Sequence, residues 1–346
     1  MIILVISPSR RPNVRAKAVA APPDCIAYHS ASPHGAFTLP FGRSILLAAA
    51  RSKTLNNFAL RSAFVRRATT TFMPGEHPED ALDAGAAIAS TGRGLIFTQL
   101  GEAITQAGEA IAVRDHYLWF FDQIRARGLP AQVSVKPTQL GLDLSFEKCL
   151  EHLLALAGKA DDSGSALSLD MEDSTYVDRT IDLYVALKRH HGRAGIALQA
   201  YLYRTPKDLD RLMPLKPVIR LVKGAYNEPA GLAFRKKSDT DRAYYELACR
   251  MLDVARSGGC VPVFGTHDIA LIRRIAARAE ATGVAKGKYE IHMLYGIRDA
   301  EQRRLVAGGQ SVKTLISYGS AWYRWYMRRL AERPANVWFV VKSLFG

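Results

Sequence analysis

Short apolar runs alternate along this chain with longer stretches of helical periodicity. Eight runs rich in branched and aromatic residues predict strands over 94–98, 132–136, 166–170, 196–203, 218–222, 261–265, 289–294 and 311–317. Helical spacing predicts helices over 78–90, 102–127, 145–158, 175–191, 206–213, 239–256, 269–282, 299–307 and 321–332. Strand then helix, eight times over, is the pattern of an α/β protein built as a (β/α)8 TIM-type barrel. Nearly every strand ends on a polar or charged residue. Parallel strands bring their carboxyl ends to one mouth, so those terminal residues outline a candidate site.

Composition refines the boundaries. Residues 1–40 hold six prolines and no sustained period, and a disordered leader is expected over 1–42. Residues 43–92 read as an N-terminal helical arm, with Leu46, Leu47, Leu55, Phe58, Phe64 and Val65 spaced helically among arginines. The barrel is assigned to 93–346, its aromatic end (336–345) packing on it or capping it. The net charge of +15 is concentrated early: residues 1–70 carry ten Lys or Arg and one acid, Asp24. This stretch reads as a disordered extension or as an organelle transit peptide, and its amphipathic part as a contact for anionic lipid. The remaining sequence has no interleaving of basic and aromatic residues, which argues against nucleic-acid binding. No run reaches the roughly 18 apolar residues of a membrane span. Cys25, Cys149, Cys249 and Cys260 form neither a metal pair nor a CxxC motif, so a reduced protein without a metal is expected.

Four groups at the strand ends and one on the last helix carry candidate chemistry. Arg220 and Lys223 flank the end of the fifth strand, and Gly224 and Ala225 follow, where the backbone can approach a phosphate or a ring carbonyl. Lys223 also fits a Schiff-base nucleophile. Asp170 ends the third strand, and alternation places Glu172 on its side. Thr266 and His267 end the sixth; His267 either donates to a cofactor or, with Asp268, caps the next helix. Lys136 ends the second. On the last helix, Arg328 and Arg329 present two planar forks that can close on one carboxylate, or else pair with Glu332 on an exposed face.

Taken together, the segments Phe72 to Glu76, Ser134 to Lys136, Leu169 to Asp173, Gln199 to Tyr201, Arg220 to Tyr226, Thr266–His267, Met293 to Gly296 and Tyr326 to Glu332 resemble the proline dehydrogenase family. The resemblance implies FAD as cofactor and oxidation of L-proline to 1-pyrroline-5-carboxylate, with C5–H facing flavin N5. It implies that Arg328, Arg329 and Lys136 hold the substrate carboxylate and that Leu294 packs on its ring. Arg220 and Asp170 would sit by the flavin N5. Leu169, Gln199, Lys223, Gly224, Ala225, Thr266 and His267 would hold FAD. A quinone acceptor follows, with a cytoplasmic or peripheral inner-membrane location, or the mitochondrial matrix if the leader is a transit peptide. A separate pyrroline-5-carboxylate dehydrogenase would act downstream. One position departs from the family pattern: Leu315 stands where members commonly have a tyrosine against the substrate ring. That keeps a 4-hydroxyproline dehydrogenase open beside the proline enzyme, and a Lys223 lyase remains the reading from another reaction class.

Overall fold

The computed structural model describes residues 72–101 and 104–322. Among these, eight parallel strands close into a barrel in sequential order. They are β1 (Gly94–Gln99), β2 (Ala131–Val135), β3 (Leu167–Leu169), β4 (Gly195–Gln199), β5 (Val218–Val222), β6 (Val261–Gly265), β7 (Glu290–Leu294) and β8 (Ser311–Tyr318). The helices are α1 (Pro78–Ala89), α2 (Ala107–Ala126), α3 (Phe146–Asp162), α4 (Val177–Lys188), α5 (Thr205–Leu212), α6 (Lys237–Ala255), α7 (Ile269–Ala281) and α8 (Asp299–Ala307). The expected α/β barrel is therefore present. The leader over 1–42, most of the arm over 43–92, and the helix bearing Arg328 and Arg329 lie outside the described residues.

Local chemistry explains where the elements begin and end. Helix α2 starts at Ala107 rather than at the expected residue 102, because Glu109 draws in the backbone N–H groups of Thr105 (2.7 Å) and Gln106 (3.0 Å). Ser145 caps α3 by accepting from Lys148 N. That helix runs to Asp162, four residues beyond its expected end at 158. Its Asp161 carboxylate binds His191 Nδ1 at 2.8 Å and Arg193 Nη2 at 3.0 Å, which anchors the last turn. Strand β4 stops at Gln199 instead of reaching residue 203. The chain turns there, and Tyr201 N donates to the Lys223 carbonyl at 3.0 Å.

Most of the apolar core lies between the strands and the outer helices. Phe97, Tyr117 and Phe120 are fully buried there, each contributing roughly 2–3 kcal/mol by its removal from water. Phe120 stacks on Tyr318 at 5.1 Å and meets Phe97 edge-on at 5.1 Å. Inside the barrel the composition differs. The strands are staggered, so inward side chains of alternate strands share a level. Ile96, Ser168, Arg220 and His292 occupy one level. Ser134, Ala197, Gly265 and Leu315 lie above it, then Thr98, Asp170, Val222 and Leu294. Polar groups are thus spread through the barrel interior rather than confined to its mouth.

Candidate active site

The carboxyl ends open onto a cavity of about 790 Å³. Lys136, Asp170, Gln199, Arg220, Lys223, Gly224, Ala225, Thr266, His267 and Leu294 all line it. Residues spread over almost 160 positions of sequence converge because each follows or ends a parallel strand. Leu169 does not line the cavity: its side chain is fully buried in the core.

Arg220 is the best-anchored group. It is buried, and its Nη2 donates to Asp170 Oδ1 and to Ser134 Oγ, the latter at 2.9 Å. Ser134 Oγ in turn donates to Asp170 Oδ1 at 2.7 Å. The guanidinium is held from one side and presents its other edge to the cavity. Ser134 was not among the expected site residues. Its signal was there: it sits two positions before Lys136, on the same inward face of β2.

Asp170 and Glu172 part company, contrary to the expected alternation. Strand β3 ends at Leu169, so strict alternation stops before them. Asp170 faces the cavity, whereas Glu172 turns to Thr138, accepting from its N (3.1 Å) and Oγ1 (2.8 Å). Burial pushes the Glu172 carboxyl up, against the pull of these Thr138 hydrogen bonds. Gln199 Nε2 donates to the Glu172 carbonyl at 2.8 Å.

The remaining walls are equally specific. His267 does not cap α7. Asp268 does, accepting from Leu271 N at 3.2 Å, and His267 Nε2 accepts from Leu294 N at 2.9 Å. The neutral imidazole therefore carries its proton on Nδ1. Thr266 Oγ1 accepts from Asp268 N at 3.2 Å. Lys223 Nζ lies between Asp241 and Asp268, 3.1 Å from the second. Burial alone would lower its ammonium pKa, but these two carboxylates outweigh burial and hold it above the ordinary lysine value. The Lys136 ammonium makes no hydrogen bond or ion pair among the described residues, so its charge is available to an occupant.

Gly224 shapes the cradle. Its φ is +111°, and a Cβ there would lie 2.2 Å from Tyr201 Cδ1. Glycine therefore lets Tyr201 pack against this turn, while the residues from Lys223 to Ala225 line the cavity. We expect Gly224→Ala to destabilise the protein by about 1–3 kcal/mol through strain and the ring clash. An unchanged denaturation midpoint would contradict this account of the turn.

The residues fit a flavin dinucleotide. There is a buried cation lining the cavity, a stretch of backbone from Lys223 to Ala225 along its wall, and polar walls from β4 and β6. Comparisons with known proteins identify the family. A family model described as proline dehydrogenase matches residues 81–342. "Proline dehydrogenase 1" of Bacillus subtilis (strain 168) is 33% identical over 305 residues, covering 87% of this chain and 98% of that protein. "Proline dehydrogenase" of Deinococcus radiodurans is 35% identical over 278 residues, covering 79% of this chain and 88% of its own. Among solved structures, proline utilization A from Bdellovibrio bacteriovorus, inactivated by N-propargylglycine, aligns with a TM-score of 0.72 at 20% identity. The match covers 83% of this chain and 38% of that one. At that identity the likeness is one of fold.

Proposed function

The chain belongs to the proline dehydrogenase family, oxidoreductases acting on proline, and from that premise we propose that it oxidises L-proline to 1-pyrroline-5-carboxylate with FAD. The observation that carries this reading is the buried Arg220, fixed by Asp170 and Ser134 beside an unpaired Lys136 in one cavity. FAD, when bound, supplies the two-electron acceptor for the hydride that leaves proline C5. Gln199, the Lys223–Ala225 backbone, Thr266 and His267 hold it, and Arg220 places a cation near the flavin N5, where negative charge develops. Lys136, with Arg328 and Arg329, takes the substrate carboxylate. Leu294 packs on the pyrrolidine ring and fixes its orientation. A quinone accepts the electrons, and a separate dehydrogenase consumes the product. Among the described residues no helix is long and apolar enough to cross a membrane, so access to a lipid-soluble quinone would come through peripheral contact.

The test is a visible spectrum of the purified protein before and after anaerobic addition of L-proline. Flavin bands that bleach are expected. Flavin bands that stay would move the substrate to another amine, and absence of flavin after reconstitution with FAD would overturn the reading. The Lys223 lyase is the weaker alternative, because an ammonium held by two carboxylates is a poor nucleophile.

Leu315 lines the cavity as an apolar wall one level below Leu294. A hydroxyl placed against it loses its water partners, at roughly 1–3 kcal/mol. Proline should therefore exceed trans-4-hydroxyproline in kcat/KM by about tenfold or more. Steady-state rates with both substrates decide this, and the reverse preference would make the hydroxyproline enzyme the correct reading.

A further inference from the structure

The interior of a (β/α)8 barrel is ordinarily filled by branched apolar side chains. In this barrel a line of titratable groups runs through it. His292 is buried on the level of Arg220, at the floor of the cavity. Its Nε2 lies 2.8 Å from Glu290 Oε2. Glu290 Oε1 lies 2.8 Å from Lys313 Nζ. Glu290 and Lys313 are each about one-quarter exposed, and both line a second pocket of about 490 Å³ at the amino ends of the strands. His292 lines only the upper cavity, and Glu290 and Lys313 only the lower pocket. The chain of contacts therefore connects the two ends of the barrel.

The upper end of this chain is unfinished. With Nε2–H donating to the carboxylate, Nδ1 keeps a lone pair. Nδ1 is buried and has no hydrogen-bond partner among the described residues. A buried acceptor is costly to leave unpaired, and the imidazole that carries this one lines the floor of the cavity. A proline ring nitrogen is an ammonium near neutral pH, and it must become an amine before its C5 hydride can leave.

We propose that His292 and Glu290 form a proton conduit through the barrel, which water at the cavity floor would link to the substrate amine above and which opens to solvent in the lower pocket. The inference rests on the proline-oxidation reading. The ring ammonium N–H breaks and leaves its electron pair on nitrogen. Water at the cavity floor passes the proton to His292 Nδ1. The Nε2 proton moves to Glu290, and Glu290 releases it below. One hydride goes separately to FAD, so proline loses one proton and one hydride and leaves as the iminium carboxylate. When the electrons pass to a quinone, a proton is taken up. The reverse passage supplies it and restores the Nε2–H tautomer, so the conduit is reset once per turnover.

The surroundings suit transit rather than storage. The imidazole faces Arg220 from β5, Lys313 from β8 and Glu290 from its own strand, while β6 presents Val263 and Gly265 and β1 presents Ile96. Burial lowers the His292 pKa, and the nearby Lys313 and Arg220 cations lower it further, against Glu290. Burial would raise the Glu290 carboxyl, but His292 and Lys313 outweigh it and keep it ionised. Neither group holds a resident proton at its receiving atom.

The test uses FAD-loaded protein in anaerobic single turnovers, with flavin absorbance and a pH-indicator dye read together. Wild type should release one proton per flavin bleached, in step. His292→Gln keeps a hydrogen bond to Glu290 but cannot relay, so both signals should slow by about tenfold or more. His292→Ala should be equally slow and be restored by imidazole in the buffer. A structural role alone would be preserved by the glutamine and insensitive to imidazole. Wild-type rates in H292Q, or no imidazole rescue of H292A, would overturn the conduit. Failure of wild type to bleach with proline would instead overturn the reading on which it rests. Independently of turnover, nitrogen-15 histidine spectra of the resting protein should show His292 neutral and protonated on Nε2. A doubly protonated ring, or one protonated on Nδ1, would also overturn the proposal.

Discussion

Asp170→Ala is expected to lower stability by about 3 kcal/mol and to abolish proline-dependent bleaching of the flavin. The magnitude comes from leaving Arg220 as a buried charge without its carboxylate, which costs roughly 3–5 kcal/mol in such pairs. Arg220 is 7% exposed and Asp170 21%, so solvent screens this pair little. Ser134 Oγ, 2.9 Å from Nη2, recovers only part of the loss. Adding Arg220→Met to the Asp170→Ala protein should restore most of the stability, since no charge then remains buried, without restoring activity. Denaturant unfolding and anaerobic titration with proline separate the two effects. Wild-type stability in the single variant would mean that the pair contributes little to the fold.

Lys136→Met should leave stability unchanged and reduce kcat/KM for proline by about 10- to 100-fold, the loss of one charge-assisted hydrogen bond worth about 1.5–3 kcal/mol. The side chain makes no ion pair among the described residues, so little structural cost accompanies its removal. The effect should fall on KM. Pyrrolidine, which has the ring and lacks the carboxylate, serves as the control. Equal losses for both compounds would place Lys136 elsewhere than on the carboxylate.

The barrel was legible because its signal repeats. Strands β5 and β6 and helix α8 have the expected bounds, each marked by a compact apolar run or a clear stop. Site residues at strand ends were legible for the same reason, since topology alone brings Lys136, Arg220 and His267 to one mouth. What failed depended on where strands stop. Glu172 was placed with Asp170 by an alternation that ends at Leu169, three residues before it. Residues 200–203 continue the apolar run of β4, yet the chain turns after Gln199 to let Tyr201 pair beyond the end of β5. His292 carries a strand-interior position with no local mark, and only the register of eight strands puts it beside Arg220. Ser134 shows the same limit: a small hydroxyl on an inward face has no distinctive pattern until its guanidinium partner arrives from 86 residues away.

The twin carboxylates around Lys223 have a consequence for the durability of the enzyme. An imine product opens in water to an aldehyde, and aldehydes condense with amines that have a free lone pair. In the proposed reaction each turnover would therefore release an electrophile beside a lysine in the cavity wall. Asp241 and Asp268 keep that nitrogen protonated and its lone pair occupied. The contacts that tie the end of β5 to the starts of α6 and α7 would thus also protect the catalyst from Schiff-base formation with what it makes.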